Sequence, residues 1–194
     1  MYQELEKYLK EKTTINEKVL QEITSKFRVI KTQRNQMLCN EGQVCKHFYF
    51  INSGCLRLYS IDSKGNEVTG YFALENSFMT ALTSFINKKP SRDFLISFEP
   101  SELLVIDRDD FFKLIEAVPQ FATVYIQFVE FGFIHSQMRI YGFLGMDAID
   151  RLKWVLEHEQ RLLNRISARA VASYLGMTES TLSKLRSKLS KSMS

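Results

Sequence analysis

Near the end of the chain stands Ile166-Ser-Ala-Arg-Ala-Val-Ala-Ser-Tyr-Leu-Gly-Met-Thr-Glu-Ser-Thr-Leu-Ser-Lys-Leu-Arg-Ser-Lys-Leu189, and its pattern decides how the rest is read. Ser167 is placed to cap a short helix carrying Val171, Ala172 and Leu175, and Gly176 stops it, because a residue without Cβ enters the left-handed conformation at little cost. Thr178 then opens a second helix, its hydroxyl accepting from an early backbone N–H. Leu182, Leu185 and Leu189 recur at helical spacing as a buried stripe, while Ser180, Ser183, Lys184 and Ser187 fill the opposite face. Ala172 leaves room for a close crossing. Two short helices, a glycine turn and a polar face with basic flanks spell a helix-turn-helix.

The chemistry of that face suits double-stranded DNA. Thr178 and the free N–H groups at the helix start favour a phosphate. Glu179 can accept from a cytosine amino group, Ser180, Thr181 and Ser183 can pair with donors or acceptors, and Lys184 can donate to guanine. Ser167, Arg169, Arg186, Lys188 and Lys191 are better placed for phosphates, which fix position without reading sequence. A helical hairpin in an ordinary core with a solvated face would share much of this pattern. Charge argues for the DNA reading: from Asp147 onward nine Lys/Arg stand against five Asp/Glu, so the whole formal net charge of +4 falls in that segment.

The 194 residues are enough for one large or two small domains with a real core. The polar start Met1-Tyr-Gln-Glu-Leu-Glu-Lys7 does not read as a signal peptide, and no apolar run is long enough to span a bilayer, so a cytoplasmic protein without a membrane partner is expected. Cys39, Cys45 and Cys55 are an odd set without a Cys-x-x-Cys pair, which fits reduced, buried thiols.

Residues 2 to 27 carry helical stripes, Tyr2, Leu5 and Leu9 and then Ile15, Val19, Ile23 and Phe27. Short β-like runs follow to about Ile106: Phe48–Ile51, Leu56–Ile61, Val68–Phe72, Phe94–Phe98 and Leu103–Ile106, with Asp62-Ser-Lys-Gly65 as a turn. Close spacing of many short strands points to an antiparallel barrel or roll, and the chain as a whole to the α+β class. Asp107 to Val118 returns to helix, and after Pro119 a long helix is expected to about Phe143. There Phe121, Val124, Phe128, Phe131, His135 and Met138 are spaced 3, 4, 3, 4, 3, the pattern of a seam between two copies. Phe133, Ile134 and Ile140 lie off that seam and are expected to face the roll. Gly142, Gly145 and the capping Asp147 suggest a hinge.

Taken together, the chain resembles the Crp/Fnr family of bacterial transcription regulators. The likeness rests on Tyr49-Phe-Ile-Asn-Ser-Gly54, Leu58-Tyr-Ser-Ile-Asp-Ser-Lys-Gly65-Asn-Glu67, Asp147 with Arg151, and Val171–Lys184. It implies a cyclic-nucleotide-binding-type β-roll over 1–118, a dimerisation helix and hinge over 119–146, and a helix-turn-helix domain over 147–194. Few residues follow Lys188, so the family's β-hairpin wing is expected to be incomplete. In cAMP-binding members a Gly-Glu pair and an Arg-Ser or Arg-Thr pair hold the ribose and cyclic phosphate. Thr80 and Ala81 stand at the first pair here, and Ser91-Arg92 reverses the second. Neighbouring strand residues face opposite ways, which aims the Arg92 guanidinium outward, so Thr80, Ala81, Ser91 and Arg92 mark a ligand site not expected to answer to cAMP.

The resemblance therefore implies a homodimer reading a pseudo-palindromic operator, with RNA polymerase and an unidentified small-molecule effector as candidate partners and no cofactor. The three cysteines lack the N-terminal cluster of iron–sulfur members. His47, His135 and His158 have no carboxylate or cysteine at ligand spacing, so no metal is expected. No nucleophile–base pair or glycine-rich phosphate loop argues for an enzyme. The rival from another class is a ligand-binding or protein-interaction module whose helix-turn-helix no longer reads DNA.

Overall fold

The computed structural model describes residues 1–192, apart from the side chains of Phe143, His158, Lys191 and Ser192. The two helical stripes expected over 2–27 fall on two lead-in helices, α1 (Gln3–Lys12) and α2 (Glu17–Thr24). The break has a local cause: the Asn16 side chain accepts from Val19 N at 2.9 Å and starts α2 afresh. Both bury their stripes, Leu5, Leu9, Leu20 and Ile23, on the roll that follows.

That roll is two four-stranded antiparallel sheets. One orders β1 (Arg28–Thr32), β8 (Ser101–Asp107), β3 (His47–Ser53) and β6 (Phe78–Met79). The other orders β2 (Gln36–Cys39), β7 (Phe94–Ser97), β4 (Leu56–Ile61) and β5 (Glu67–Ala73). Strands β1, β2 and β6 are too short or too polar to announce themselves by alternation, and they find their place by pairing with stronger neighbours. The Asp62 turn forms as its sequence expects, with Oδ1 accepting from Lys64 N at 2.8 Å and Asn66 N at 2.9 Å and Gly65 at φ +82°. Gly54, between β3 and β4, is at φ +108°, and a Cβ there would lie 2.0 Å from Ser101 Oγ, so only glycine fits.

Aromatic rings fill the interior. Phe48 meets Phe78, Phe85 and Phe111 with centroids 5.1, 5.6 and 4.5 Å apart. Helix α3 (Leu82–Asn87) supplies Phe85, and α4 (Arg108–Ala117) supplies Phe111. After Val118 the chain bends into α5 (Pro119–Gly145), a 27-residue helix with proline in its first turn. No single helix among the described residues is long and apolar enough to cross a membrane.

The expected orientation of α5 needs correction. Phe121 and Val124 are buried, and Phe128 packs on Phe48 and Phe78, with ring centroids 5.0 and 6.4 Å away, all within one chain. The 3–4 spacing thus marks, over its first half, the face turned to the protomer's own roll. Phe133, Ile134 and Ile140, expected to face the roll, are exposed instead, as are Phe131 and Met138. Periodicity reveals that a helix has an apolar stripe, but two stripes on one helix carry no mark of which partner is intramolecular.

Four helices follow: α6 (Ala148–His158), α7 (Gln160–Leu163), α8 (Ala168–Tyr174) and α9 (Glu179–Ser192). Asp147 caps α6, accepting from Ile149 N at 3.0 Å and Asp150 N at 2.9 Å. Among the described residues no strand follows β8. These helices share a second core with the roll. Leu152, Val155, Leu162, Ile166, Val171, Tyr174 and Leu182 cluster with Cys55, just before β4, and Phe72 on β5.

Candidate nucleic-acid interface and effector cleft

The helix-turn-helix is built from backbone requirements upward. Ser167 Oγ accepts from Ala170 N at 3.2 Å and opens α8. At the other end Gly176, at φ +65°, lets Met177 N reach Ala172 O at 2.9 Å and Gly176 N reach Ser173 O at 3.2 Å. Thr178 Oγ1 then accepts from Thr181 N at 3.2 Å and lies 2.9 and 3.1 Å from the Thr181 and Ser180 hydroxyls. Leu182 is buried, and Leu185 and Leu189 pack on the same core. That burial turns Glu179, Ser180, Ser183, Lys184, Arg186, Ser187 and Lys188 to solvent on one continuous surface, with Thr178 exposed at its start and Thr181 half-buried beside it. Arg169 is exposed on α8. Lys191, assigned to the same phosphate track, lies outside the described side chains, as does His158.

Ser167 and Thr178 therefore spend their hydroxyls on helix starts, and any contribution to phosphate binding from them comes alongside the backbone N–H groups they organise. The exposed group has no acidic residue beyond Glu179, so its field is positive.

Sequence reasoning missed how this unit is held. Ser173, on α8, donates to Glu67 O at 2.7 Å, accepts from Thr69 N at 3.0 Å, and lies 2.8 Å from Thr69 Oγ1. Arg57 lies beneath it, only 5 % exposed on β4. Its guanidinium reaches Glu67 at 2.8 Å, Thr69 at 2.7 and 2.9 Å and Ser173 at 3.3 Å, and lies over the Tyr59 ring. A buried cation of this kind is tolerable only because its donors are matched. Arg165 makes a second clamp, with Glu75 at 2.7 and 2.8 Å and with Glu99. Burial alone would raise the Glu75 carboxyl, but the Arg165 guanidinium and the Gly54 N–H overcome it and hold its pKa at about 2. The one available signal was a serine and an arginine interrupting apolar runs, which does not name a partner a hundred residues away.

The four positions expected to hold a ligand are not brought together as a charged cradle. Thr80 is buried, donates to His47 O at 2.8 Å and lies 3.3 Å from Cys45 Sγ. Ala81 is buried at the start of α3. Ser91 is buried and turned on its own loop, donating to Asp93 O at 2.8 Å, whereas Arg92 is exposed. Both residues stand in the loop before β7 and not on a strand, so the path of that loop, and not the expected strand alternation, exposes Arg92.

A larger space opens on the other side of Thr80. Between β5, β6 and α5 lies a cleft of about 990 Å³, lined among others by Tyr71, Asn76, Thr80, Gln127, His135, Ser136 and Arg139. Its lining includes Lys12 and Arg139 and no carboxylate. His135, expected on a seam between copies, faces Tyr71 edge-on at 4.9 Å and lies 3.5 Å from the Tyr174 hydroxyl. Burial, aided by Arg139, lowers its pKa. Arg139 donates to Thr69 O and Tyr174 O at 3.2 Å each, so the cleft's far end touches the helix-turn-helix unit directly.

Residues 29–118 match the cyclic nucleotide-binding domain family. No curated protein sequence matches the chain. Among solved structures, FixK2 from Bradyrhizobium japonicum is 20% identical with TM-score 0.72, over 86% of this chain and 85% of that one. The c-di-GMP-responsive global regulator CLP of Xanthomonas campestris is 13% identical with TM-score 0.75, over 91% and 93%. The catabolite activator protein of Thermus thermophilus is 18% identical with TM-score 0.59, over 92% and 85%. At these identities the likeness establishes the fold. Residues 29–118 thus match the cyclic nucleotide-binding domain family, and the chain shares its fold with solved Crp/Fnr-type regulators.

Proposed function

We propose that this chain is a transcriptional regulator of the Crp/Fnr type that binds DNA sequence-specifically as a homodimer and does not answer to cAMP. The observation that carries the reading is the exposed Ser180–Ser183–Lys184–Ser187 face of α9, flanked by Arg169, Arg186 and Lys188. Residues 1–118 act as the sensor, 119–146 as the dimer helix and 147–194 as the DNA reader. Two α9 helices about one DNA turn apart (roughly 34 Å) read a pseudo-palindrome. Lys184 with Glu179, Ser180, Thr181 and Ser183 reads bases, while Ser167, Arg169, Thr178, Arg186 and Lys188 position the backbone.

Dimerisation uses the exposed stripe of α5, centred on Ile126, Phe133, Ile140 and Leu144 at spacings of seven, seven and four, because so wide an apolar surface is costly to leave in water. The effector occupies the cleft beside His135 and Arg139, where a small molecule can bias the attachment of the helix-turn-helix unit to the roll. The exposure of Arg92 and the absence of Gly-Glu at Thr80-Ala81 support independence from cAMP. A regulatory role, not catalysis, follows, with RNA polymerase as a downstream partner and the cytoplasm as the place of action.

Selection of bound fragments from a random duplex DNA pool, with purified protein at near-physiological salt, tests the reading. Enrichment of a palindrome is expected, either without additions or after adding cell metabolites. A folded dimer that enriches nothing under either condition sinks it and leaves a ligand-binding module.

A further inference from the structure

A second pocket lies where the long helix hands over to the helix-turn-helix unit. It encloses about 360 Å³ between the end of α5, α6 and α8, and only Arg139 is common to it and the larger cleft beside His135. Trp154 of α6 and the buried Tyr174 of α8 give it aromatic walls, and Met138 and Met146 add thioethers. Gly142 and Gly145 supply its room on the α5 side. Neither has a positive φ. A Cβ on Gly142 would meet only Met146 Sδ, at 3.6 Å, and one on Gly145 would meet nothing within 4 Å. Neither backbone conformation nor packing therefore calls for glycine, although glycine inside a helix costs about 0.5–1 kcal/mol relative to alanine.

The pocket does not compete with the dimer stripe. At about 100° per residue, Gly142 stands roughly 160° around α5 from both Ile140 and Leu144, so pairing through those residues leaves the pocket on the far side. Its charged lining is cationic: Arg139 and Arg151 contribute guanidiniums, and among the described residues no carboxylate lines it. Arg139 is fixed in place, donating to Thr69 O and Tyr174 O at 3.2 Å each and lying 4.3 Å over the Tyr174 ring. A wholly apolar guest would strip water from two cations and return nothing. A guest with a carboxylate at one end replaces that water with charge-assisted hydrogen bonds, for which a guanidinium is well shaped. The aromatic walls and the thioethers favour a ring at its other end.

We propose that this pocket binds a small aromatic carboxylate, with its ring against Trp154 and Tyr174 and its carboxylate on Arg139 and Arg151. The site is additional to the effector cleft and does not depend on how α9 reads DNA. An occupant touches α5, α6 and α8 together, and so ties the long helix to the helix-turn-helix unit.

Trp154 is the only tryptophan in the chain, so contact with a bromine-bearing ligand shows as quenched emission. Full-length protein would be titrated with para-bromobenzoate and, separately, with the neutral para-bromobenzamide. The acid is expected to quench Trp154 saturably with a Kd below about 1 mM, at least about tenfold tighter than the amide. Gly142→Leu fills the pocket and should abolish saturable quenching while circular dichroism stays unchanged, and Gly145→Leu is the alternative filling variant if the first does not fold. Arg151→Gln should bring the acid down to the affinity of the amide without weakening the amide. Quenching that only rises linearly with concentration in the wild type, or saturable quenching that survives a folded filling variant, overturns the site. Equal affinity for acid and amide in the wild type, a comparison that needs no variant, overturns the class of ligand. An acid preference that persists in folded Arg151→Gln overturns the role given to that residue.

Discussion

The two halves of α5 are equally apolar in sequence and meet opposite fates. From Pro119 to Phe128 the helix lies on its own roll, with Phe121 1 % exposed among Phe27, Phe111 and Val124. Beyond Phe128 it presents Phe133 at 64 % and Leu144 at 82 % exposure. The first half has an intramolecular partner because α4 folds back beside it and the aromatic interior reaches it through Phe48. On the second half the roll covers only one side, through Tyr71 and His135, and the other side is free. Apolar surface drives association wherever it can be covered, so the contrast separates what holds the protomer together from what is available to join two.

The largest test of this contrast is Phe121→Ala, expected to cost about 3–5 kcal/mol of unfolding free energy because a buried ring leaves a cavity. Denaturant unfolding measures it, and a loss below about 1 kcal/mol would mean that the first half is not core. Next comes Phe133→Glu with Leu144→Glu. Folding stability at low protein concentration should be nearly unchanged, whereas sedimentation should show at least a tenfold weaker dimer, or about 1.4 kcal/mol. Equal self-association of variant and wild type would break the division between the halves.

If the second half pairs two readers, base reading should depend on single α9 side chains within that pair. Lys184→Ala is expected to erase about 1–3 kcal/mol of discrimination at one position of each half-site. Arg186→Ala should instead weaken all sequences alike and lower the salt slope by roughly one. Equal losses on specific and random DNA for Lys184→Ala would remove its base-reading role.

The smallest expected effect concerns the clamp between roll and helix-turn-helix. Glu75 has its pKa depressed from the ordinary 4.5 to about 2 by Arg165 and Gly54 N–H against burial. Its stabilisation is therefore complete above about pH 4.5 and is lost as pH falls toward 2. Acid titration followed by Trp154 fluorescence should show a transition in that window, and Glu75→Gln should flatten it. An unchanged transition in the variant would show that other carboxylates carry it.

Much of the architecture was legible because it depends on local chemistry. The Asp62–Gly65 turn, the stop at Gly176 and the caps at Ser167, Thr178 and Asp147 follow from what nearby backbone groups require, and β3, β4, β5, β7 and β8 from their apolar runs. The outward face of α9 was equally readable, because Leu182, Leu185 and Leu189 can be buried on only one side. Arg92 is exposed as expected, but it stands in the bend before β7, so strand alternation is not the reason.

Tertiary structure alone decided two things. It chose which apolar stripe of α5 met the roll, since two stripes with the same period look alike until a partner's position is known. It joined Ser173 to Glu67, Thr69 and Arg57 across more than a hundred residues, a match of hydrogen-bonding groups that leaves no spacing in the chain. Local conformational preferences are written residue by residue, whereas partner choice is settled by which surfaces burial and polar matching bring together when the whole chain closes.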